Sequence, residues 1–383
     1  MLQARRLGKE LVVGIHTDEE ILSNKGPTVM NLKERVAAVD ACRWSTKSVP
    51  CAPYVTSLPW ISHYGCFYVV HGDDITSDAN GEDCYRYVKA AGRFLVVKRT
   101  PSISTTDLVG RMLLCTKGHF IRSLPAVLAG HEGSRDPEKR KHMGIEMMKR
   151  IEDYAQDETG LKPYCKVYQY SDSSEPGQAV TSLSNTAFDL IVDGQGPQPG
   201  QRIVYVDGGF DLFSSGHVEF LRQVAIREAA ISRDAASSEY SATVPPSAYV
   251  VAGVHDDAVI NRSKGVNYPI MNIFERGLCV LQCRYTNSVV FSAPFSPSLA
   301  YLSGLPFGRP DAVYHGPTSF MPTTFDPYTE VKQAGIFTEI GSHAFDSVNA
   351  EEIMQRIVNS RASYEARQRA KGDKAVAEQA ITN

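Results

Sequence analysis

Tyr205-Val206-Asp207-Gly208-Gly209-Phe210-Asp211-Leu212-Phe213-Ser214-Ser215-Gly216-His217 is the stretch on which the fold turns. Aliphatic residues run up to Asp207, two glycines come next, and a helical pattern opens after Ser214. A buried strand that turns through glycine into a helix gathers backbone N–H groups and the positive end of a helix dipole at one place. That place favours an anion such as a nucleotide phosphate. The pattern predicts a parallel α/β sheet with its ligand crevice at the strand ends.

The residues C-terminal to this stretch repeat a pattern from near the start of the chain. Gly14-Ile15-His16-Thr17-Asp18 matches Gly253-Val254-His255-Asp256-Asp257, and Lys25-Gly26 matches Lys264-Gly265. Met30-Asn31-Leu32 with Glu34-Arg35 matches Met271-Asn272-Ile273 with Glu275-Arg276. Cys42-Arg43-Trp44, Ala52-Pro53 and His71-Gly72 return as Cys283-Arg284-Tyr285, Ala293-Pro294 and His315-Gly316. The landmarks keep one order and slip by only a few residues, so the chain is read as a duplicated α/β domain. In the first copy, Leu11–His16, Phe67–Val70 and Phe94–Val97 are the strand candidates. Helices are expected from Asn31, from Glu82 to Ala91 and from Asp107 to Leu114, with a loop around Lys25-Gly26-Pro27.

Two asymmetries separate the copies. Met1 aligns near Leu221, so the first domain is expected to lack its first strand and the chain to be N-terminally incomplete. Conversely, Arg99-Thr100-Pro101-Ser102-Ile103-Ser104-Thr105-Thr106 has no counterpart after His315. The expected division is 1–116, a truncated first domain, and 117–200, a linker with some helix. A second, degenerate domain over 201–345 and a polar helical tail over 346–383 complete it. Val167–Tyr170 reads as an edge strand.

The 383 residues suffice for two domains, and 43% hydrophobic with 22% charged residues is the balance of a soluble protein with cores. A net charge of −3 gives no general attraction to nucleic acid, which is not expected as a partner. No apolar run is long enough to form an integral membrane segment. The eight cysteines form no C-x-x-C pairs, so reduced thiols, no zinc site and a cytoplasmic setting are expected.

Gly-x-Phe-Asp-x-Phe-x-x-Gly-His after a strand, Lys-Gly in the next loop, Glu-Arg on the next helix, a Gly-Asp-Asp turn and Arg-Thr-x-x-Ile-Ser-Thr together resemble the cytidylyltransferase family of nucleotidyltransferases. Two such halves, with the Arg-Thr string only in the first, resemble its ethanolamine-phosphate branch. The resemblance implies two tandem Rossmann-like nucleotidyltransferase domains. It implies CTP and phosphoethanolamine as substrates, Mg²⁺ as the ion accompanying phosphoryl transfer with no protein ligand assigned, and a homodimer. Lys25 and Arg99 are then the catalytic cations. Asp18, Gly72, Asp73, Asp74, Thr100, Ser104 and Thr105 are the nucleotide-binding set. Ser102 stands where the family has glycine, and Ser214 where it has the first histidine of H-x-G-H. Gly209, Asp211, Gly216, His217 and Lys264 therefore form a degenerate second site. His16 and His71 read equally as ligand contacts or structural histidines. Arg35 and Arg43 either line the pocket or pair with carboxylates such as Glu34 and Asp40. Cytidylyl transfer, impaired in this chain because the first copy lacks the H-x-G-H loop, a non-catalytic nucleotide- or partner-binding role, and adenylyl transfer are the three readings that the sequence leaves, and the Arg99–Thr106 string favours cytidylyl over adenylyl transfer.

Overall fold

The computed structural model describes residues 1–74, 76–101, 105–171, 187–238, 247–316 and 325–362, with backbone alone for 235–238. The chain divides into two compact units, one made of residues 1–116 with those from 350 onward, the other of residues 117–349.

In the first unit, β1 (Val12–Ile15) pairs in parallel with β2 (Lys47–Pro50), Val12 opposite Lys47. β3 (Val69–Gly72) pairs in parallel with β4 (Phe94–Val97). Among the described residues these remain two separate pairs. The expected loop before Lys25 is instead α1 (Asp18–Lys25). Thr17 caps it, accepting from the Glu20 N–H at 3.2 Å, and three acidic residues in its first turn complement the helix dipole. The expected capping box is present in α2 (Leu32–Ala41): Asn31 Oδ1 accepts from the Glu34 N–H at 3.0 Å, and Glu34 Oε2 from the Asn31 N–H at 2.9 Å. The strand expected over Phe67–Val70 lies two residues later. The expected Glu82–Ala91 helix shortens to Arg86–Ala90, because Asp83 is drawn into a bridge with Ser77. α3 (Thr105–Leu114) comes after β4.

The second unit is built on a seven-stranded sheet. Its strands are β5 (Lys166–Tyr170), β6 (Phe188–Val192), β7 (Ile203–Gly208), β8 (Tyr249–Val254), β9 (Ser288–Phe291), β10 (Ala312–His315) and β11 (Phe337–Glu339). Their spatial order is β11-β10-β7-β8-β9-β5-β6, and only β5 and β6 pair antiparallel. The expected linker over 117–200 is thus part of the unit, supplying α4 (Pro137–Tyr154) and two strands. β5 is an interior strand, not an edge, because β9 pairs on one side and β6 on the other. α5 (Ser215–Ser238), α6 (Asp257–Lys264) and α7 (Ile273–Leu281) connect the parallel strands. Tyr205, Val251, Val290 and Val313 from adjacent strands pack into one core cluster. The helix expected over the polar tail is present as α8 (Ala350–Asn359), which belongs with the first unit; its continuation past residue 362 lies outside the described residues. α8 carries an Arg356–Glu352 pair at 3.1 Å and α3 an Arg111–Asp107 pair at 2.7 Å, each one helical turn apart.

Packing explains two of the repeated landmarks. A Cβ on Gly253 would meet the Tyr205 hydroxyl and sit 2.8 Å from Ala293 Cβ; on Gly14 it would sit 3.0 Å from Ala52 Cβ. The glycine of one strand and the alanine after its neighbour are therefore required together. Gly253→Ala is expected to cost about 1–3 kcal/mol through overpacking, seen as a lower denaturant midpoint with an unchanged slope.

Candidate functional site

In the first unit the residues of interest collect at the C-terminal ends of β1, β3 and β4. Beyond β1, the His16 ring packs on the Tyr54 ring at 5.0 Å between centroids, and its Nδ1 lies 2.9 Å from the Ala52 carbonyl oxygen. Lys25, exposed at the end of α1, holds its Nζ 5.9 Å from the centre of the same Tyr54 ring. That is the outer limit of a cation–π contact and keeps the ammonium beside the strand end.

Asp18 is placed differently from the expectation that it meets a nucleotide. One oxygen accepts from Arg35 Nη2 at 2.6 Å and the other from the Leu32 N–H at 3.0 Å. Arg35 also donates to the His16 carbonyl at 2.8 Å and the Met30 carbonyl at 3.2 Å. Arg35 therefore pairs with Asp18, not with Glu34. This network ties the start of α1 to the start of α2.

Beyond β3, Gly72, Asp73 and Asp74 form the turn. His71 sits 4.8 Å from the Tyr85 ring and 3.9 Å from the Asp74 carboxylate. Asp73 Oδ1 accepts from the Arg99 N–H at 3.1 Å, which ties the start of the Arg99–Thr106 string to the β3 turn. The Arg99 side chain is exposed, Thr100 is half-buried, and Thr105 opens α3. Ser104 and Ser102 lie outside the described residues. Tyr85 links the two groups. Burial pushes its phenol well above the ordinary range, and nearby Cys84, Tyr54 and Asp74 push it further. Lys25 in turn lies close enough to lower the Cys84 thiol against the burial that raises it.

The second unit repeats this arrangement with its groups closed in. Arg276 is fully buried and donates to Asp257 Oδ1 at 2.7 Å and to the carbonyls of Gly209 (2.6 Å), His255 (2.6 Å) and Met271 (3.0 Å). His255 meets the Ala293 carbonyl at 3.0 Å, as His16 meets Ala52. Asp211 accepts from the N–H groups of Ile270 (2.8 Å), Met271 (2.9 Å) and Leu212 (3.0 Å), so it is a brace for the backbone rather than a ligand group. Gly216 is needed for packing, since a Cβ there would lie 2.6 Å from the Val348 oxygen and 2.8 Å from the Phe345 oxygen. Ser214 Oγ donates to that same Val348 oxygen. His217 accepts from the Ser214 N–H at 3.1 Å and stacks on Phe213 at 6.0 Å. Burial, then the Lys264 charge, holds its imidazole down at about 4, and burial does the same to His255. Neither histidine carries a positive charge at neutral pH. Lys264, the counterpart of Lys25, holds its Nζ 5.4 Å from the ring of Tyr268 in its own loop.

The sequence pattern does not single out Tyr54 or Tyr85. The repeat holds a signal for Tyr54: Phe295 comes after Ala293-Pro294 as Tyr54 comes after Ala52-Pro53, and its ring lies 5.8 Å from His255. Among the described residues no three metal-ligating side chains cluster, and no helix is long and apolar enough to cross a membrane.

Comparison with known proteins adds to this geometry. A family model described as cytidylyltransferase-like matches residues 1–111. The chain is 40% identical to the ethanolamine-phosphate cytidylyltransferase of Mus musculus, over 98% of this chain and 85% of the relative. It is 37% identical to the Dictyostelium discoideum protein of that name, over 98% and 90%. It is 34% identical to the probable ethanolamine-phosphate cytidylyltransferase of Schizosaccharomyces pombe, over 99% and 91%.

Proposed function

The chain belongs to the ethanolamine-phosphate cytidylyltransferase family, and on that premise we propose that its first unit transfers a cytidylyl group from CTP to phosphoethanolamine. The products are CDP-ethanolamine, for phosphatidylethanolamine synthesis, and pyrophosphate. The observation that carries the reading is the placing of Lys25 and His16 on Tyr54 at one strand end, and of His71 on Tyr85 with Asp73 holding the Arg99 N–H at the others. These are the C-terminal ends of parallel strands, the side on which α/β proteins bind ligands.

A phosphate oxygen of phosphoethanolamine attacks the α-phosphorus of CTP. The new P–O bond forms as the bond to the bridging oxygen breaks, and pyrophosphate leaves with that electron pair. No covalent intermediate on the protein is required, so catalysis consists of positioning the two phosphates and neutralising their charge. In this reading Lys25 faces the α-phosphate. Arg99, with Thr100, Ser104 and Thr105, the last of which opens α3, holds the rest of the triphosphate. The Asp73 contact to the Arg99 backbone sets where that string begins.

Mg²⁺ belongs to the proposal as a charge-neutralising ion brought in on the phosphates. The residues present fit that mode: Asp73 and Asp74 are exposed carboxylates at the crevice, and Mg²⁺ commonly takes one or two carboxylates beside substrate phosphates. A cytoplasmic setting and a homodimer complete the reading.

The test is direct. Purified protein given CTP and phosphoethanolamine is expected to form CDP-ethanolamine with stoichiometric pyrophosphate. Faster turnover with ATP would replace the reading by adenylyl transfer. Nucleotide binding with no product would favour a non-catalytic nucleotide-binding role.

A further inference from the structure

Arg356 lies on α8, far along the chain from the crevice residues, yet in the first unit it closes on their support. Its Nη1 donates to Glu34 Oε2 at 2.8 Å and its Nη2 to Glu34 Oε1 at 3.0 Å, a two-pronged grip on a carboxylate only 2% exposed. Nη1 also reaches the Val29 carbonyl at 3.4 Å. The same Glu34 oxygen that meets Nη1 accepts from the Asn31 N–H. One residue on, the Leu32 N–H is held by Asp18, and the Met30 carbonyl is held by Arg35. Residues 29–32 are thus fixed at four successive positions. They form the far end of the short loop whose near end is Lys25-Gly26.

We infer that Arg356 is a positioning residue for the first site, acting through Glu34 and Val29 to set the loop that follows Lys25 at the end of α1. It does not touch substrate. Its guanidinium anchors the capping box, the capping box anchors the loop, and the loop fixes where the Lys25 ammonium stands over Tyr54. A lysine in its place could supply charge but not the fork. The inference rests on the reading of Lys25 as a nucleotide-facing cation.

The experiment measures the CTP dissociation constant by calorimetry for the parent protein, Arg356→Ala, Arg356→Lys, Lys25→Ala and the Arg356→Ala/Lys25→Ala pair. It is run below each protein's unfolding transition. Arg356→Ala is expected to weaken CTP about tenfold, the scale of one lost charge-assisted hydrogen bond, with Arg356→Lys in between. In the Lys25→Ala background the same change is expected to do nothing further, because the group it positions is gone. A purely structural Arg356 would lower the unfolding temperature and leave CTP affinity unchanged, or weaken it equally in both backgrounds; either result overturns the inference. If Arg356→Ala does not fold, Arg356→Lys decides: parent-like CTP affinity in that variant overturns it as well. A parent protein that binds no CTP, or a Lys25→Ala variant that binds CTP normally, would instead bring down the functional reading.

Discussion

Arg276→Met is expected to lower the stability of the second unit by about 3–5 kcal/mol, because it strips the counter-charge from a buried carboxylate. Asp257 is buried at 1% exposure, and with Arg276 gone it keeps only backbone donors, the Ile121 N–H at 2.9 Å and the Ile273 N–H. Burial already pushes the Asp257 carboxyl upward, and Arg276 is the main force pulling it back. The carbonyls of Gly209, His255 and Met271 lose their donor in the same step. For a unit of this size, the loss corresponds to a fall of roughly 6–20 °C in the unfolding midpoint. The duplicate provides the control. Arg35 and Asp18 make the same pair at 2.6 Å with side chains 20% and 37% exposed, so water can take over part of the role of either partner. Arg35→Met is expected to cost clearly less in the first unit. Calorimetric unfolding of both variants checks the pair, and equal losses would refute burial as the deciding factor.

Lys25→Ala is expected to reduce turnover of CTP and phosphoethanolamine by roughly 10²–10³-fold, the usual penalty for removing one group aimed at charge developing in the transition state. The side chain is exposed, so folding should change by no more than about 0.5 kcal/mol and the loss should fall on catalysis. Lys264→Ala, the matching change in the second unit, is expected to leave turnover near the parent value. There, Ser214 Oγ is bound to the Val348 carbonyl, burial holds the His217 imidazole down, and Gly216 is packed against the 345–348 backbone. Pyrophosphate release under saturating CTP measures both. A Lys25→Ala enzyme with parent-like turnover would remove Lys25 from the mechanism.

The duplication was legible because each landmark meets a physical need present in both copies. Asn31 and Asn272 begin a helix with the same capping box, Gly14 and Gly253 face an alanine too close for a side chain, and Arg35 and Arg276 fill the same network. Position at a strand end was legible too, so Lys25 and the Gly72–Asp74 turn could be singled out. Function within the network was not. The contacts of Asp18 to Arg35 and the Leu32 N–H, and of Asp211 to the Ile270 and Met271 N–H groups, join positions distant in sequence and leave no local pattern. β6 and the interior place of β5, a strand the sequence did suggest, were hidden for a different reason. Lys166–Tyr170 is short and polar-flanked, and only its pairing with Ser288–Phe291, distant in sequence, makes it an interior strand. The Arg356–Glu34 grip is likewise a contact between opposite ends of the chain, invisible to any local pattern.

That grip has a bearing on how the protein is made. The first unit is discontinuous: residues 1–116 leave the ribosome early, while α8 emerges only after the whole of 117–349 has been synthesised. Glu34 must therefore wait, buried-to-be but without its guanidinium, for most of translation. The entropy cost of closing so long a span exceeds that of a shorter one only modestly, since it grows logarithmically with length. The delay is nevertheless real in time. The half of the molecule born first is the half finished last, so a stalled or clipped chain that ends short of Arg356 would carry every crevice residue and still leave Glu34 without its counter-charge.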